Sequence, residues 1–292
     1  MSPRLRTYSL AVFAGVMLTL AGCTDEHRGV SRNSSNPVKR VVSLDYCADQ
    51  YVLKFVDRKN IAALSPDAEK PFSYLRDKAK GLRKVRPVAE NILALRPDVV
   101  VRSYGGGPTI GPLLERAGVD VINVGWAATM EGSDATSIPA ITQRVATELG
   151  EMERGRQTVQ EYQRRLTSAT RQSDGADFAR AQALYMSAAG VTTGPGSLVH
   201  DLLITAGLEN FEEQAGWRSI PLEKLAYQSP SMVAAAFFNL ETNHRNSWSA
   251  SRHPVASSLR RSVPFVDLEG AWTACGAWFI ADAVEALAGA TL

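Results

Sequence analysis

The sequence predicts an α/β protein built as two α/β units with mainly parallel sheets, joined by one long helix. Three observations predict it. Between residues 40 and 124, short β-branched runs alternate with segments whose apolar residues fall at helical spacing. Between 138 and 170 the strand signal stops and helical spacing takes over. From 181 the alternation returns. Strands that alternate with helices form parallel sheets, because each crossover helix returns the chain to the same end.

The chain opens with Arg4 and Arg6, an apolar run from Leu10 to Leu20, and Leu20-Ala21-Gly22-Cys23. The apolar run is too short to cross a hydrocarbon core of about 30 Å as a helix. The charged start and small residues before a cysteine fit a lipoprotein signal over residues 1–22, with Cys23 as the lipidation site. An ordinary secretory signal or a short signal anchor is the alternative. Residues 23–37 are polar, with His27 among them, and read as a flexible tether.

The first unit is expected over residues 38–135. Arg40–Leu44 (RVVSL) reads as a buried strand, and Asp45–Phe55 as a helix through Tyr51, Val52 and Phe55. Strand 61–64 follows, then a Pro-containing polar loop, a helical turn at 90–95, strand 98–101, the Ser103–Pro108 glycine loop, a helix ended by Gly118, and strand 120–124. Ile138, Ile141, Val145, Leu149, Met152, Val159, Tyr162 and Leu166 then fall mostly at steps of three, four or seven. They predict one linking helix within 136–172, roughly 50 Å long at 1.5 Å per residue, with Gly150 and Gly155 weakening its middle. The second unit, 173–292, holds expected strands at 181–186, 232–238 and 263–268. It also holds a helix after Gly194-Pro195-Gly196-Ser197 that Gly207 caps, and a closing helix at 276–288.

Composition bounds the function. Of 292 residues, 45% are hydrophobic and 21% charged, and the net charge of +2 points to neither nucleic acid nor a strongly anionic partner. With Cys23 assigned to lipid, Cys47 and Cys275 remain. In an oxidising compartment they suggest a disulfide; two buried thiols are the alternative, since sequence does not show that their Cα atoms come within about 7 Å.

Four segments carry a resemblance to a known family: Arg40–Leu44; Arg86-Pro87-Val88-Ala89-Glu90-Asn91-Ile92-Leu93-Ala94-Leu95-Arg96-Pro97-Asp98-Val99-Val100; Ala206–Asn210 with Trp217 and Ile220–Leu225; and Gln228–Val233, where Ser231 stands in place of an acid. Their order resembles the periplasmic substrate-binding proteins of ABC importers, in the helical-backbone class that takes ferric siderophores, haem and cobalamin. The resemblance implies two rigid lobes with a ligand cleft between them and a small hinge motion. It implies a non-enzymatic receptor that delivers its ligand to an ABC permease; with the Cys23 signal, the expectation is a monomer lipid-anchored on the periplasmic side of a bacterial membrane. Such a receptor needs no cofactor or protein-held metal, because the metal arrives inside the chelate.

Bulky chelates need flat apolar surface and a few donors or cations, so loops after strands are the candidate sites. Asp45 and Tyr46 follow the first strand, Arg102 and Tyr104 flank the glycine loop, and Trp126 follows strand 120–124. Ser187, Trp217, Arg245 and Trp248 are the second-lobe candidates. Each tryptophan could equally be partial core, and Trp272 and Trp278 read as packing. Family members carry acidic knobs that dock on the permease. Glu223 matches the second-lobe position; in the first lobe Asp49-Gln50 stands where relatives often carry a glutamate in the opening helix, and Glu115 is another candidate. His200, His244 and His253 are too scattered for a dedicated metal receptor.

The ligand expectation is a ferric siderophore, with cobalamin or haem as alternatives. An exported hydrolase using Ser197 is a remote alternative, since Gly-x-Ser-x-Gly is absent. A sensing lipoprotein without a transporter is another.

Overall fold

The computed structural model describes residues 39–174, 180–237 and 249–290. The lipidation candidate Cys23, with the signal and tether, lies outside the described residues, as do His244, Arg245 and Trp248.

The first lobe contains β1 (Val41–Ser43), α1 (Tyr46–Phe55), β2 (Ile61–Ala63), α2 (Arg76–Ala79), α3 (Ala89–Leu93), β3 (Val99–Arg102), α4 (Ile110–Arg116) and β4 (Asp120–Asn123). Its four strands are all parallel, in the order β2-β1-β3-β4. β1 and β3 are buried throughout, as β-branched runs covered on both faces should be.

The second lobe contains β5 (Gln182–Ser187) and β6 (Val191–Thr193), with α5 (Ile138–Glu148) and α6 (Met152–Asp174) preceding them. It continues through α7 (Leu198–Thr205), β7 (Glu209–Asn210), β8 (Trp217–Ser219), α8 (Leu222–Tyr227) and β9 (Met232–Phe237). It ends with α9 (Pro254–Ser262), β10 (Phe265–Glu269), α10 (Gly270–Thr273) and α11 (Ile280–Ala288). Its parallel sheet runs β10-β9-β5-β7. Read from the other edge, β7-β5-β9-β10 repeats the order of the first sheet. β6 and β8 form a separate antiparallel pair that three-residue segments gave no period to predict.

The linking segment differs from the expected single helix. The helical spacing is real on both sides of residue 150, but it belongs to two helices packed against each other. Gly150 adopts φ +83°, and Glu151 N–H donates to Ala146 O (2.7 Å) while Gly150 N–H donates to Thr147 O (2.9 Å). That paired pattern is a Schellman ending, which satisfies the last carbonyls of α5 and turns the chain. α6 alone is the long backbone helix, 23 residues or about 35 Å. Gly155 has a different use from the one expected. A Cβ there would lie 2.6 Å from Ala146 Cβ, so the missing side chain lets α5 and α6 touch.

A continuous apolar cluster joins the lobes. Tyr51 and Phe55 of α1 pack on Trp278 with ring centroids 5.2 and 5.9 Å apart, and Tyr74 stacks on Phe279 at 4.3 Å. Trp278 is buried packing, and Trp272 is half-buried against the same cluster. Arg76 pairs with Glu269 at 2.8 Å. Cys47 and Cys275 form a disulfide, with Cα atoms 5.7 Å apart. The closing segment from 270 to 288 therefore packs on the first lobe as well as the second.

Candidate functional site

In the first sheet the strand order reverses at β1, between β2 and β3. The loops leaving the carboxyl ends of β1 and β3 therefore diverge and open a crevice, the usual ligand position in open parallel sheets. Asp45 and Tyr46 leave β1, and Ser103–Gly107 leaves β3.

Four aromatic rings line up there. Phe72 meets Tyr46 edge-on (4.9 Å), Tyr46 meets Tyr104 edge-on (5.9 Å), and Tyr104 lies nearly parallel to Trp126 (5.9 Å, 14°). Tyr104 is 42% exposed and Trp126 60%, large apolar area left in water. Sequence reasoning missed Phe72, because it lies far along the polar, Pro-containing loop after β2 rather than at the strand's end, where candidates were sought. Burial, then the nearby Asp45 and Asp67 carboxylates, pushes the Tyr46 phenol up. Burial, then Tyr46 and Asp45, pushes Tyr104 up as well. Both phenols stay protonated at neutral pH and present neutral rings.

Asp45 and Arg102 sit beneath this row. Asp45 is 3% exposed and caps α1, its Oδ1 accepting from Ala48 N–H at 2.9 Å. Its Oδ2 accepts from the N–H groups of Ser103 (2.7 Å), Tyr104 (3.1 Å) and Gly105 (2.9 Å). Arg102, 9% exposed, donates from Nε to Gly105 O (3.0 Å) and from Nη2 to Gly107 O (2.9 Å). Only glycine fits at 105, where a Cβ would lie 2.4 Å from Leu44 O.

On the second lobe, Trp217 of β8 is 61% exposed and edge-on to buried Tyr185 at 6.2 Å. Trp217 pairs with Thr193, which leads through Ser197 into α7. Leu198 at the start of α7 and Ala127 of the first lobe both close on Gly276, where a Cβ would lie 2.6 Å from Leu198 Cδ1 and 2.8 Å from Ala127 Cβ. The Tyr46 hydroxyl donates to Ala274 O at 3.2 Å. The lobes thus touch along a floor that adjoins Trp126 and Tyr46. Ser187 is buried, its hydroxyl accepting from Val191 N–H in its own turn. Ser197 Oγ caps α7 at His200 N–H (3.1 Å) and donates to Gly194 O (3.0 Å), a helix cap with no histidine ring on its hydroxyl among the described residues. No group of three or more His, Cys, Asp or Glu converges to hold a metal among the described residues.

Glu223 is exposed in the first turn of α8, which leads to β9. The equivalent helix in the first lobe is α3, which leads to β3, and it carries exposed Glu90 in its first turn. The signal was present in the sequence: Glu90, Ile92 and Pro97 align with Glu223, Leu225 and Pro230 at one constant offset. Glu115 is exposed on α4 and has no such counterpart. Asp49 and Gln50 are both buried, so neither is available at the surface.

The periplasmic binding protein family model matches residues 41–237, most of the chain. The chain belongs to the periplasmic binding protein family. Membership places it outside the cytoplasm. Among solved structures, it resembles a periplasmic haem-binding protein from Pseudomonas aeruginosa (22% identity, TM-score 0.67, covering 86% of this chain and 91% of that one). It also resembles the vitamin B12-binding protein BtuF of Vibrio cholerae (16%, TM-score 0.61, 86% and 95%) and unliganded FhuD2 from Staphylococcus aureus (12%, TM-score 0.64, 86% and 96%). At these identities the likeness is one of fold. No curated protein sequence matches the chain.

Proposed function

We propose that this family member is a receptor that takes a metal chelate between its lobes and delivers it to an ABC permease. The observation that carries the reading is the row Phe72, Tyr46, Tyr104 and Trp126 at the switch point of the first sheet, with exposed Trp217 on the second lobe. Flat, neutral aromatic faces suit a ring-bearing chelate better than a small hydrophilic solute.

A ferric siderophore, the expectation from sequence, draws on cations to meet its charged edge. Arg102 was the first-lobe cation for that task, and its Nε and Nη2 go to loop carbonyls instead. That observation favours the second reading, a corrinoid or porphyrin chelate held by its ring face. Arg245 and Trp248 remain proposed second-lobe contacts.

For delivery, Glu223 and Glu90 form the proposed pair of permease-docking carboxylates, with Glu90 taking the place assigned to Glu115. Cys23 is the proposed lipid anchor. A fluorescence titration of the purified protein with cyanocobalamin, haemin, a ferric catecholate and a ferric hydroxamate, corrected for inner-filter absorption, tests the receptor reading. Saturable quenching by one class at micromolar or lower concentration supports it. No response to any of the four counts against it.

A further inference from the structure

Two buried, oppositely charged side chains grip the loop that carries Tyr104, and they divide its backbone between them. Asp45 takes the N–H groups of residues 103, 104 and 105; Arg102 takes the carbonyls of residues 105 and 107. Gly105 is held on both sides, its N–H by the carboxylate and its C=O by the guanidinium. Each carboxylate oxygen offers about two acceptor positions; Oδ2 takes three N–H donors, Oδ1 takes the Ala48 cap, and the side chain is 3% exposed. Little of it is left for a ligand.

The loop needs such a grip. It holds three consecutive glycines, two of them at positive φ (Gly106 +78°, Gly107 +71°), and free glycine chains sample many conformations. Its only aromatic residue, Tyr104, is 42% exposed and has no core to pin it. Yet its ring lies within 14° of parallel to Trp126. Asp45 also caps α1, whose first residue is Tyr46, so one carboxylate fixes two rings of the row.

We propose that Asp45 and Arg102 are a positioning pair: neither touches the ligand, and together they fix the Ser103–Gly107 loop so that the Tyr104–Trp126 platform exists before ligand arrives. A platform ordered in advance raises affinity, because binding does not then have to order the loop. The ligand arm of this inference rests on the receptor reading above; the ligand-free arms do not.

The first test uses the unliganded wild-type protein. Amide hydrogen exchange of Ser103, Tyr104 and Gly105 should be as slow as in β3. Exchange at loop rates overturns the proposal. The second uses Asp45→Asn, Arg102→Met and the double variant, each without ligand. Asparagine keeps one oxygen for the α1 cap but turns an amide donor toward three N–H donors, while methionine keeps the apolar stem and removes both donors. The near-UV circular dichroism component that Tyr104→Leu removes from wild type should vanish in both single variants, with the far-UV spectrum preserved. Its persistence in Arg102→Met, the variant less disruptive to the helix cap, overturns the proposal even if Asp45→Asn misfolds.

The third test titrates whichever of cyanocobalamin, haemin or ferric siderophore binds wild type. Each single variant should bind about tenfold or more weakly, and the double variant no more weakly than the worse single, because both act through one loop. Additive losses with the near-UV component intact would show direct ligand contacts and overturn the pair. If wild type binds none of the probes, the receptor reading fails while the ligand-free arms still decide the positioning role.

Discussion

Asp49 offers the sharpest stability prediction. It is fully buried in α1, one turn beyond Asp45. Its Oδ1 accepts from Ser65 N–H (3.0 Å) and its Oδ2 from Ser65 Oγ (2.5 Å). Burial pushes its carboxyl up from 3.8 to about 6, against the hydrogen bonds from Ser65, which pull it down. Desolvation therefore wins, and the charged form is the costly one. At roughly 1.4 kcal/mol per pH unit, the displacement corresponds to about 3 kcal/mol. The sign follows from proton counting. Between pH 3.8 and 6 the folded protein holds a proton that the unfolded chain has lost, so stability falls as pH rises through that window and the full cost is present above it. Asp49→Asn removes the titration and keeps the shape: Oδ1 still accepts from Ser65 N–H, while the contact to Ser65 Oγ reverses, Nδ2 donating to it. Denaturant unfolding of both proteins at pH 4, 5, 6 and 7.5 should show the variant near wild type at pH 4 and more stable by up to about 3 kcal/mol at pH 7.5, or several degrees in Tm for a domain of this size. A variant less stable than wild type at pH 7.5, or a difference constant with pH, would refute the reasoning.

Three further outcomes follow from the packing. The Cys47–Cys275 disulfide closes a span of 228 residues, so reduction or Cys47→Ala/Cys275→Ala should lower stability by as much as about 5 kcal/mol in the chain-entropy account, read from thermal melts with and without reductant; unchanged melts would contradict it. Gly155→Ala gains about 1 kcal/mol in helix propensity, but its Cβ would lie 2.6 Å from Ala146 Cβ in a crossing that can move little, so overpacking of about 1–3 kcal/mol should win and lower Tm. Gly105→Ala drives a Cβ toward the Leu44 carbonyl, which cannot rotate away; it should destabilise by about 1–3 kcal/mol and abolish the Tyr104–Trp126 signature in near-UV circular dichroism.

Much of the fold was legible because parallel strands buried on both faces advertise themselves as β-branched runs. Val41–Ser43 and Val99–Arg102 lie within a residue or so of their expected bounds, as does Met232–Phe237, an alanine-rich apolar run instead. The linking helix was half legible. Two amphipathic helices in succession share a 3.6-residue period, and only the positive φ at Gly150, a single residue, marks the break. β6 and β8 were illegible, since three residues cannot display alternation. Of the candidate site residues, Asp45, Tyr46, Arg102, Tyr104 and Trp126 come together in the structure. What Asp45 and Arg102 bind was not legible. Asp45 meets N–H groups 58 to 60 residues away, and nothing in the local sequence tells a carboxylate turned into a loop from one turned into a cleft. Gln50 is a similar case: its amide ties Tyr46 O, Ser73 Oγ and Leu75 N–H together, fixing the loop that presents Phe72.

The central claim is that a chelate is held by the aromatic row at the end of the first sheet. Calorimetric titration of wild type and Trp126→Ala with the chelate that quenches fluorescence tests it most directly. Wild type should bind one chelate per protein, and the variant should lose about tenfold or more in affinity while melting at the wild-type temperature, since Trp126 is largely exposed and carries little of the core. Equal affinity in the two proteins would place the chelate elsewhere and contradict the account.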